Sequence, residues 1–243
     1  MIPVDSLLYK IDQKLNKLST NEYQQINLED KILALNEAQI KLIKQKVDGF
    51  GTVSGLGLDA FKKRYEDIQK LIENYEDHAL DLTLTNPLLH QWTAYVDTLV
   101  PKYMFYIDSY FLANKGRCTD RIIYINKELV KHGDITVLIN NTHYKPSFEY
   151  QETFNNINSN QISVYTDGTF TPTKLYLSYL RYPKYIDKEG YITINGDPSI
   201  TQDCELQTYL EDELLDITVQ SLAMYTENVS AVQSAQMRIQ TNE

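Results

Sequence analysis

The stretch that decides the fold is Lys174 to Tyr225, KLYLSYLRYPKYIDKEGYITINGDPSITQDCELQTYLEDELLDITVQSLAMY. Its opening run, Lys174 to Tyr182, carries Leu and Tyr on both faces, which is typical of a central, covered strand. Pro183 ends that strand because proline has no N–H to donate to a sheet. A short strand at Tyr191 to Ile194 follows between two glycine turns. Apolar residues at helical spacing then predict a helix with one face to bury: Leu206, Leu210, Leu214, Leu215, Ile217 and Leu222.

Three short motifs in this stretch carry a resemblance to a known class of protein. They are Tyr179-Leu180-Arg181-Tyr182-Pro183, Gly196-Asp197-Pro198 and Asp203-Cys204-Glu205-Leu206, and an acidic helix follows them. With these motifs the chain resembles the head-to-tail ring proteins, also called connectors or adaptors, of tailed bacteriophages. Among those it is most similar to the ring proteins of crAss-like phages. The resemblance is strongest over residues 174–243, weaker over 1–75 and slight over 100–172.

The resemblance implies a structural virion protein and not an enzyme. It implies a homo-oligomeric ring, a dodecamer by the usual symmetry of phage portals and adaptors, placed in the neck beneath the portal. The implied partners are the portal protein, other connector or tail rings, and genomic DNA in transient, non-specific contact. The implied location is the head-to-tail junction of the virion, after assembly in the host cytoplasm. The resemblance implies no cofactor and no membrane contact.

Tyrosine is the main bias in composition, with 19 copies against 7 Phe and 1 Trp. Tyrosine combines a large apolar area with few rotors and a hydroxyl, a mix that is favoured at protein interfaces and that also suits sugar stacking. A Tyr-rich glycan-binding or other tail-associated binding module is therefore the alternative function. We expect interface residues among the following, several of which also fit core positions: Tyr103, Phe105, Tyr106, Tyr110, Tyr179, Tyr182 and, in the C-terminal tail, Arg238.

The charge is uneven along the chain. The net charge is −10, and Asp187 to Glu243 holds 11 acidic residues against 2 basic ones. A surface of that sign repels phosphate within a screening length of about 8 Å at physiological salt. We therefore expect the acidic C-terminal helix to line a DNA channel without holding DNA. The channel-facing candidates are Glu211, Asp212 and Glu213.

Periodicity divides the chain into a helical part and a β-rich part. Three-and-four spacing predicts helices at 5–18, 28–47 and 59–75, and the apolar segment Leu88 to Val100 after Asn86-Pro87 predicts a fourth. Asp167-Gly168 predicts a hairpin turn. Five short runs between Gly, Asn, Asp and Pro residues predict strands: Tyr103–Leu112, Ile122–Asn126, Ile135–Ile139, Phe148–Phe154 and Gln161–Thr166.

The predicted fold class is therefore α+β. An N-terminal helical part and the C-terminal helix form a bundle, with an antiparallel β domain inserted between them. The ranges are 1–100 for the helical part, 101–195 for the β-rich insertion, 196–225 for the returning helix and 226–243 for an extended tail. The tail is polar and lacks an apolar stripe, so we expect it to become ordered on a neighbouring subunit.

Several kinds of site are excluded by pattern. No run approaches the roughly 18 apolar residues of a membrane helix, and the N-terminus MIPVDSLLYK has no leader, so we expect a protein made and used in a cytosol. The 4 His and 2 Cys show no metal-binding or disulfide spacing. The glycines at 49, 51, 55 and 57 do not fit a phosphate loop. The sequence predicts no catalytic, cofactor-binding or metal site.

Overall fold

The computed structural model describes residues 1–18, 26–48, 62–74, 79–125, 130–193, 196–225 and 237, and over them the fold is mixed α+β. The helices are α1 Val4–Leu18, α2 Leu28–Asp48, α3 Lys62–Ile68, α4 Ile135–Asn140 and α5 Glu211–Tyr225. The strands are β1 Ile72–Glu73, β2 Ala79–Asp81, β3 Thr83–Asn86, β4 Gln91–Tyr95, β5 Tyr103–Lys115, β6 Cys118–Ile125, β7 Glu152–Thr153, β8 Asn155–Asn158, β9 Gln161–Tyr165 and β10 Thr171–Arg181.

The chain divides into two compact units. Met1–Lys70 and Pro183–Glu243 form one, here called the helical unit, and Leu71–Tyr182 forms the other, the β unit. The predicted ranges 1–100 and 101–195 therefore differ from these units at residues 71–100 and 183–195. The difference at residues 71–100 arises because the strands β1 to β4 pair inside the β unit.

In the helical unit, α5 packs against both α1 and α2. Its residues 214–220 are all buried, as expected for a helix covered on more than one face. Asn36 of α2 fixes the returning chain, because its amide donates to the Ile186 carbonyl and its side-chain oxygen accepts from the Ile186 N–H, both at 2.8 Å. An isolated bridge joins Ile2 to Cys204, which ties the N-terminus to the segment before α5.

In the β unit, a six-stranded sheet has the order β1-β10-β5-β6-β7, with β2 also paired to β10, and a four-stranded sheet has the order β3-β4-β9-β8. β10 pairs with β5 along one edge and with β1 and β2 along the other. The prediction that Lys174 to Tyr182 forms a central strand is therefore confirmed, but the strand is covered only in part, since Lys174 is exposed and Tyr182 lies just beyond its end. One core holds side chains from both sheets, among them Ala94, Phe111, Val164 and Leu175.

The structure confirms the predicted helices at α1 and α2 and the predicted strands at β5, β6 and β9. The predicted helix over Leu88 to Val100 is wrong, since this segment contains β4 and a short 3-10 turn. β4 pairs with β3 on one side and β9 on the other, and this pairing outweighs the apolar spacing that favoured a helix. The third predicted helix, 59–75, corresponds to α3, which stops at Ile68 because Ile72 and Glu73 pair with β10. Residues 59–61 and 75 of the predicted helix lie outside the described residues.

Five further predictions are corrected. Ile135–Ile139 is helical, in α4, and only Glu152–Thr153 of the predicted strand Phe148–Phe154 is extended. Asp167-Gly168 does not form a hairpin, because β9 and β10 belong to different sheets. Among the described residues of Tyr191 to Ile194, only Ile192 makes a bridge, to Pro198. The C-terminal helix begins at Glu211, after a 3-10 turn at Thr208–Leu210, and not at Leu206.

Candidate interaction surfaces

A row of tyrosines crosses the outer face of the six-stranded sheet. Tyr176 of β10 lies opposite Tyr110 of β5, which lies opposite Tyr124 of β6. The rings of Tyr110 and Tyr176 are stacked, with centroids 5.0 Å apart and planes 11° apart. Tyr124 is 58% exposed. We call these three residues the tyrosine ladder; their sequence neighbours point into the core because side chains alternate along a strand.

Apolar and charged residues lie beside the ladder in the next row of the sheet. Leu112 of β5 pairs with Ile122 of β6 on one side and with Lys174 of β10 on the other. Ile122 is 40% exposed and Leu112 is half-buried. Exposed apolar and aromatic side chains that are contiguous on one sheet face are typical of a surface that binds another protein.

The other predicted interface residues are placed differently. Tyr179 is 0% exposed, and its hydroxyl donates to the Pro101 carbonyl at 2.7 Å, so it is a core residue. Tyr103 packs against the same core with its ring centroid 5.9 Å from that of Tyr179. Burial raises the pKa of both hydroxyls to about 12. The Tyr106 hydroxyl lies 2.8 Å from the hydroxyl of Ser109, and burial raises its pKa as well.

The remaining interface predictions fall at accessible or undescribed positions. Phe105 is half-buried on β5, and Tyr182 is 48% exposed just beyond β10. Arg238 lies outside the described residues. Tyr110, in the ladder, and Tyr182 are therefore the predicted tyrosines with the most suitable placement for contacting a partner.

The three candidate channel-facing acids lie in the first turn of α5, and the structure separates them. Glu211 forms an ion pair with Lys10 of α1 at 2.8 Å. Glu213 forms an ion pair with Lys46 of α2, also at 2.8 Å. The Asp212 side chain is 80% exposed, with the ammonium of Lys14 3.9 Å away. Of the three, Asp212 is the acid that presents its charge to solvent.

Two further acids of the helical unit are buried against the same lysines. The Asp216 side chain, 4% exposed, accepts from Lys14 at 2.7 Å. The Asp67 side chain, 1% exposed, lies 3.4 Å from the Lys46 ammonium. Sequence reasoning missed these pairs because the partners are far apart in the chain. One signal of the ion pairs between α1 and α5 was present in the sequence. Lys10 and Lys14 are one helical turn apart on α1, and Asp212 and Asp216 are one helical turn apart on α5.

A pocket of about 360 Å³ lies between α4 and the strands β6 and β7. We call it the α4 pocket. Apolar side chains contribute to its lining, namely Ile125, Val130, Leu138 and Phe154, and polar groups also line it, namely His143, Lys145, Glu152 and Thr153. Tyr124 and the 65% exposed Tyr144 complete the lining, so the pocket adjoins one end of the tyrosine ladder. Phe154 is held by stacking on Tyr165, with ring centroids 5.1 Å apart.

The side chains and helices in the part of the chain that the structure describes give no sign of a metal centre, a disulfide or a membrane span. No cluster of three or more His, Cys, Asp or Glu residues is found there that could hold a metal ion. Neither cysteine is in a disulfide: Cys118 is exposed on β6, and Cys204 is buried, which raises the pKa of its thiol to about 11. The described helices include none that is long and apolar enough to cross a membrane.

Comparison with known proteins gives one informative match. No family model matches the sequence. Among curated proteins, the chain is 25% identical over 226 residues to "Ring protein 4/5" of Bacteroides phage crAss001. The chain is similar to a crAss-like phage ring protein. The match covers 89% of this chain and 90% of that protein, so it includes residues of both the helical unit and the β unit. The resemblance drawn from the motifs of residues 179–206 is confirmed.

Proposed function

We propose that this chain is a structural protein of a phage virion. In this proposal it forms a ring in the head-to-tail connector, or neck, beneath the portal, lets DNA pass and joins tail components. The observation that carries the proposal is the match to Ring protein 4/5 of phage crAss001 over about nine-tenths of both chains. A match of that extent involves the whole chain and not a single shared domain.

The proposed assembly is a homo-oligomeric ring, a dodecamer, that contacts the portal protein and neighbouring ring proteins. A closed ring requires each subunit to present two different surfaces, one to each neighbour. The tyrosine ladder and the α4 pocket supply exposed aromatic and apolar area in the β unit. Burying one such side chain contributes about 1.5 to 3 kcal/mol, and a ring repeats that gain at every subunit boundary.

The helical unit has a separate role in the proposal. α1, α2 and α5 form a bundle, supported by the packing of α5 on both other helices. The predicted tail, residues 226–243, lies outside the described residues except for Met237. Asp212 faces the DNA channel. Its exposure and the net charge of −10 support a lining that repels DNA phosphates and so allows passage. The contacts of Glu211 and Glu213 with lysines limit this surface charge.

The proposed role is non-enzymatic, requires no cofactor and acts through assembly. The alternative, a glycan-binding module, draws its support from the same tyrosines. Sugars stack on open aromatic faces, but the rings of Tyr110 and Tyr176 are stacked on each other and cover part of those faces. The tyrosine ladder therefore favours a protein partner. Strong, selective binding on a glycan array would support the alternative.

The decisive experiment is a reconstruction of the virion by electron cryomicroscopy, with this chain fitted by its two units. We expect rings of the chain at the head-to-tail junction, in contact with the portal or the next ring. Mass spectrometry of the purified particles checks that they contain this chain. Virions that lack this chain, or that carry it only as isolated copies on fibres, would contradict the proposal.

A further inference from the structure

A lysine and two acids from three different helices meet inside the helical unit. Lys46 lies near the end of α2, Asp67 lies in α3, and Glu213 lies in the first turn of α5. The Lys46 side-chain nitrogen, Nζ, is 2.8 Å and 2.9 Å from the two carboxylate oxygens of Glu213. The same nitrogen is 3.4 Å from Oδ2 of Asp67. One amine is therefore placed between two carboxyl groups.

The group is almost closed to water. The Asp67 side chain is 1% exposed, that of Lys46 is 12% exposed and that of Glu213 is 14% exposed. Buried apolar residues lie next to each of them or one turn away in the same helix, namely Ile43, Ile68 and Leu214. Exclusion of water protects a reacting group from hydrolysis and favours a condensation, which releases water.

Asp67 is the unusual member of the group. Within the part of the chain that the structure describes, neither of its carboxyl oxygens makes a hydrogen bond, although both are buried. Buried charges are normally both paired and hydrogen-bonded. The Lys46 ammonium lies closer to Glu213 than to Asp67, so ion pairing alone compensates Asp67 poorly. Conversion of its carboxyl to an amide would remove that charge.

The contacts supply the groups that amide formation requires. The atom to be attacked, Cγ of Asp67, is bonded to Oδ2, which lies 3.4 Å from Nζ of Lys46, and reacting atoms are typically held about 3 to 3.5 Å apart. Glu213 is within hydrogen-bond reach of the same nitrogen, as a general base must be. Burial and the neighbouring Asp67 carboxylate raise the pKa of Tyr209 to about 12, so its hydroxyl stays protonated beside Asp67. A neutral donor there stabilises charge that develops on the carboxyl oxygen.

We propose that Lys46 and Asp67 condense to an isopeptide bond, an amide between two side chains, with Glu213 as the proton carrier. The Lys46 ammonium gives one proton to Glu213, and the free amine attacks Cγ of Asp67. A second proton leaves the nitrogen as the C–N bond forms. Glu213 passes both protons to one carboxyl oxygen of Asp67, the C–O bond breaks, and that oxygen leaves as water. An ammonium and a carboxylate become one amide and one water, with no other reactant.

The bond joins α2 to α3 and closes residues 46–67 into a covalent loop. Closing a loop reduces the conformational freedom of the unfolded chain, so the bond stabilises the helical unit as a disulfide does, and it also resists reducing agents. This inference concerns a single chain. It stands or falls independently of the proposed virion ring.

The test is the intact mass of the purified full chain, measured by mass spectrometry after denaturation. We expect a mass lower than the sequence mass by one water. Because trypsin does not cut after a modified Lys46, the digest should contain a branched peptide in which residues 45–62 are joined to residues 65–70. Cyclisation at Asp48-Gly49 or Asp167-Gly168 also releases water but leaves linear peptides. The full sequence mass, or a loss of water without the branched peptide, overturns the proposal.

Three variants test the roles of the residues. Lys46→Arg keeps the positive charge but removes the amine, so it should have its full sequence mass. Lys10→Arg is the matched control, because Lys10 is also 2.8 Å from a glutamate of α5, Glu211, but is 41% exposed; it should still lose one water. Glu213→Gln should lower the modified fraction of freshly purified chain by at least about tenfold.

Each variant has an outcome that contradicts the proposal. Loss of water from Lys46→Arg would place the modification elsewhere in the chain. An unchanged amount of branched peptide in Glu213→Gln would exclude Glu213 as the proton carrier. Thermal melting checks that the variants are folded, and the wild-type digest decides whether the bond exists even if a variant misfolds.

Discussion

Tyr179 illustrates how one of the chain's 19 tyrosines serves the interior. Its ring is fully buried between the sheets of the β unit, and its hydroxyl reaches the carbonyl of Pro101 at 2.7 Å. Tyr103 lies beside it, and burial raises the pKa of both residues to about 12. Both hydroxyls must therefore be neutral for the fold to be stable.

This burial predicts alkaline unfolding. Tyrosines in the unfolded chain lose their protons at about pH 10, before the folded ones do. The stability contributed by Tyr103 and Tyr179 is thus complete below about pH 10 and is lost as the pH rises towards 12. Urea unfolding at a series of pH values should show this decline, together with a late rise in tyrosinate absorbance. Tyr179→Phe should cost about 1 kcal/mol near neutral pH and reduce the decline; an unchanged slope would contradict the assignment.

The two cysteines occupy opposite environments, which gives a second prediction. Cys118 is exposed, whereas burial raises the pKa of the Cys204 thiol to about 11. Only the thiolate reacts with alkylating reagents. N-ethylmaleimide at mildly alkaline pH should label Cys118 within minutes and leave Cys204 unlabelled until denaturant is added. Peptide mapping by mass spectrometry distinguishes the two sites, and rapid native labelling of Cys204 would show that the bridge between Ile2 and Cys204 is open in solution.

At the scale of elements, α5 is held by apolar packing and by lysines from two other helices. Lys10 and Lys14 of α1 face Glu211 and Asp216, and Lys46 of α2 lies between Glu213 and Asp67. Exposed ion pairs contribute less than about 1 kcal/mol, but a buried acid that loses its cation is costly. The free energy of unfolding that is lost on removing a lysine therefore depends on how deeply its acidic partner is buried.

Replacing these lysines with methionine tests that difference. Lys46→Met leaves the carboxylate of Asp67, which is 1% exposed, without this cation, so we expect a loss of about 3 kcal/mol in the free energy of unfolding. Lys10→Met is the matched control, because Lys10 is 41% exposed, and should cost less than about 1 kcal/mol. Urea denaturation followed by circular dichroism measures both. Equal losses would mean that burial does not govern these pairs.

At the scale of the whole molecule, assembly is the property that the proposed function requires. The tyrosine ladder gives one prediction: Tyr124→Ala should weaken ring formation while leaving the melting temperature nearly unchanged, since the Tyr124 side chain is 58% exposed. Tyr150→Ala is the control, being 81% exposed and outside the ladder. Negative-stain microscopy of the rings formed by each variant measures ring formation. Equal effects of both substitutions would exclude a specific role for the ladder.

The polar tail gives the last prediction. Deleting residues 226–243 should leave the fold intact, because the segment lacks an apolar stripe, and should weaken assembly. Thermal melting and sedimentation of the truncated chain test the two halves of this expectation. Insoluble or unfolded protein after truncation would show that the tail belongs to the core.

The sequence predicted much of the fold at the level of elements. α1, α2, β5, β6, β9 and β10 follow directly from periodicity. Two of the errors share a cause: β4 and α4 lie in short apolar segments whose spacing suits a helix or a strand equally well, and pairing with neighbours decides between them. β8, Asn155–Asn158, was missed because asparagine is depleted in strands.

The candidate surfaces were predictable only in part. Tyr110 was identified from composition, but the ladder exists because cross-strand register aligns three strands. The α4 pocket had no sequence signal, since it depends on which residues the α4 segment and the strands bring together.

The sequence by itself determined the α+β class, the central strand β10, the buried face of α5 and the resemblance to phage ring proteins, because these depend on local pattern and residue identity. Only the tertiary structure decided which charges of Lys174 to Tyr225 are paired and which face solvent. In the sequence the successive acids at 211–213 are expected to fan around a helix, but nothing in it shows which of them meets a cation. In the fold, lysines of α1 and α2 pair with Glu211 and Glu213 and leave Asp212 exposed, because a helix turns successive residues about 100° apart.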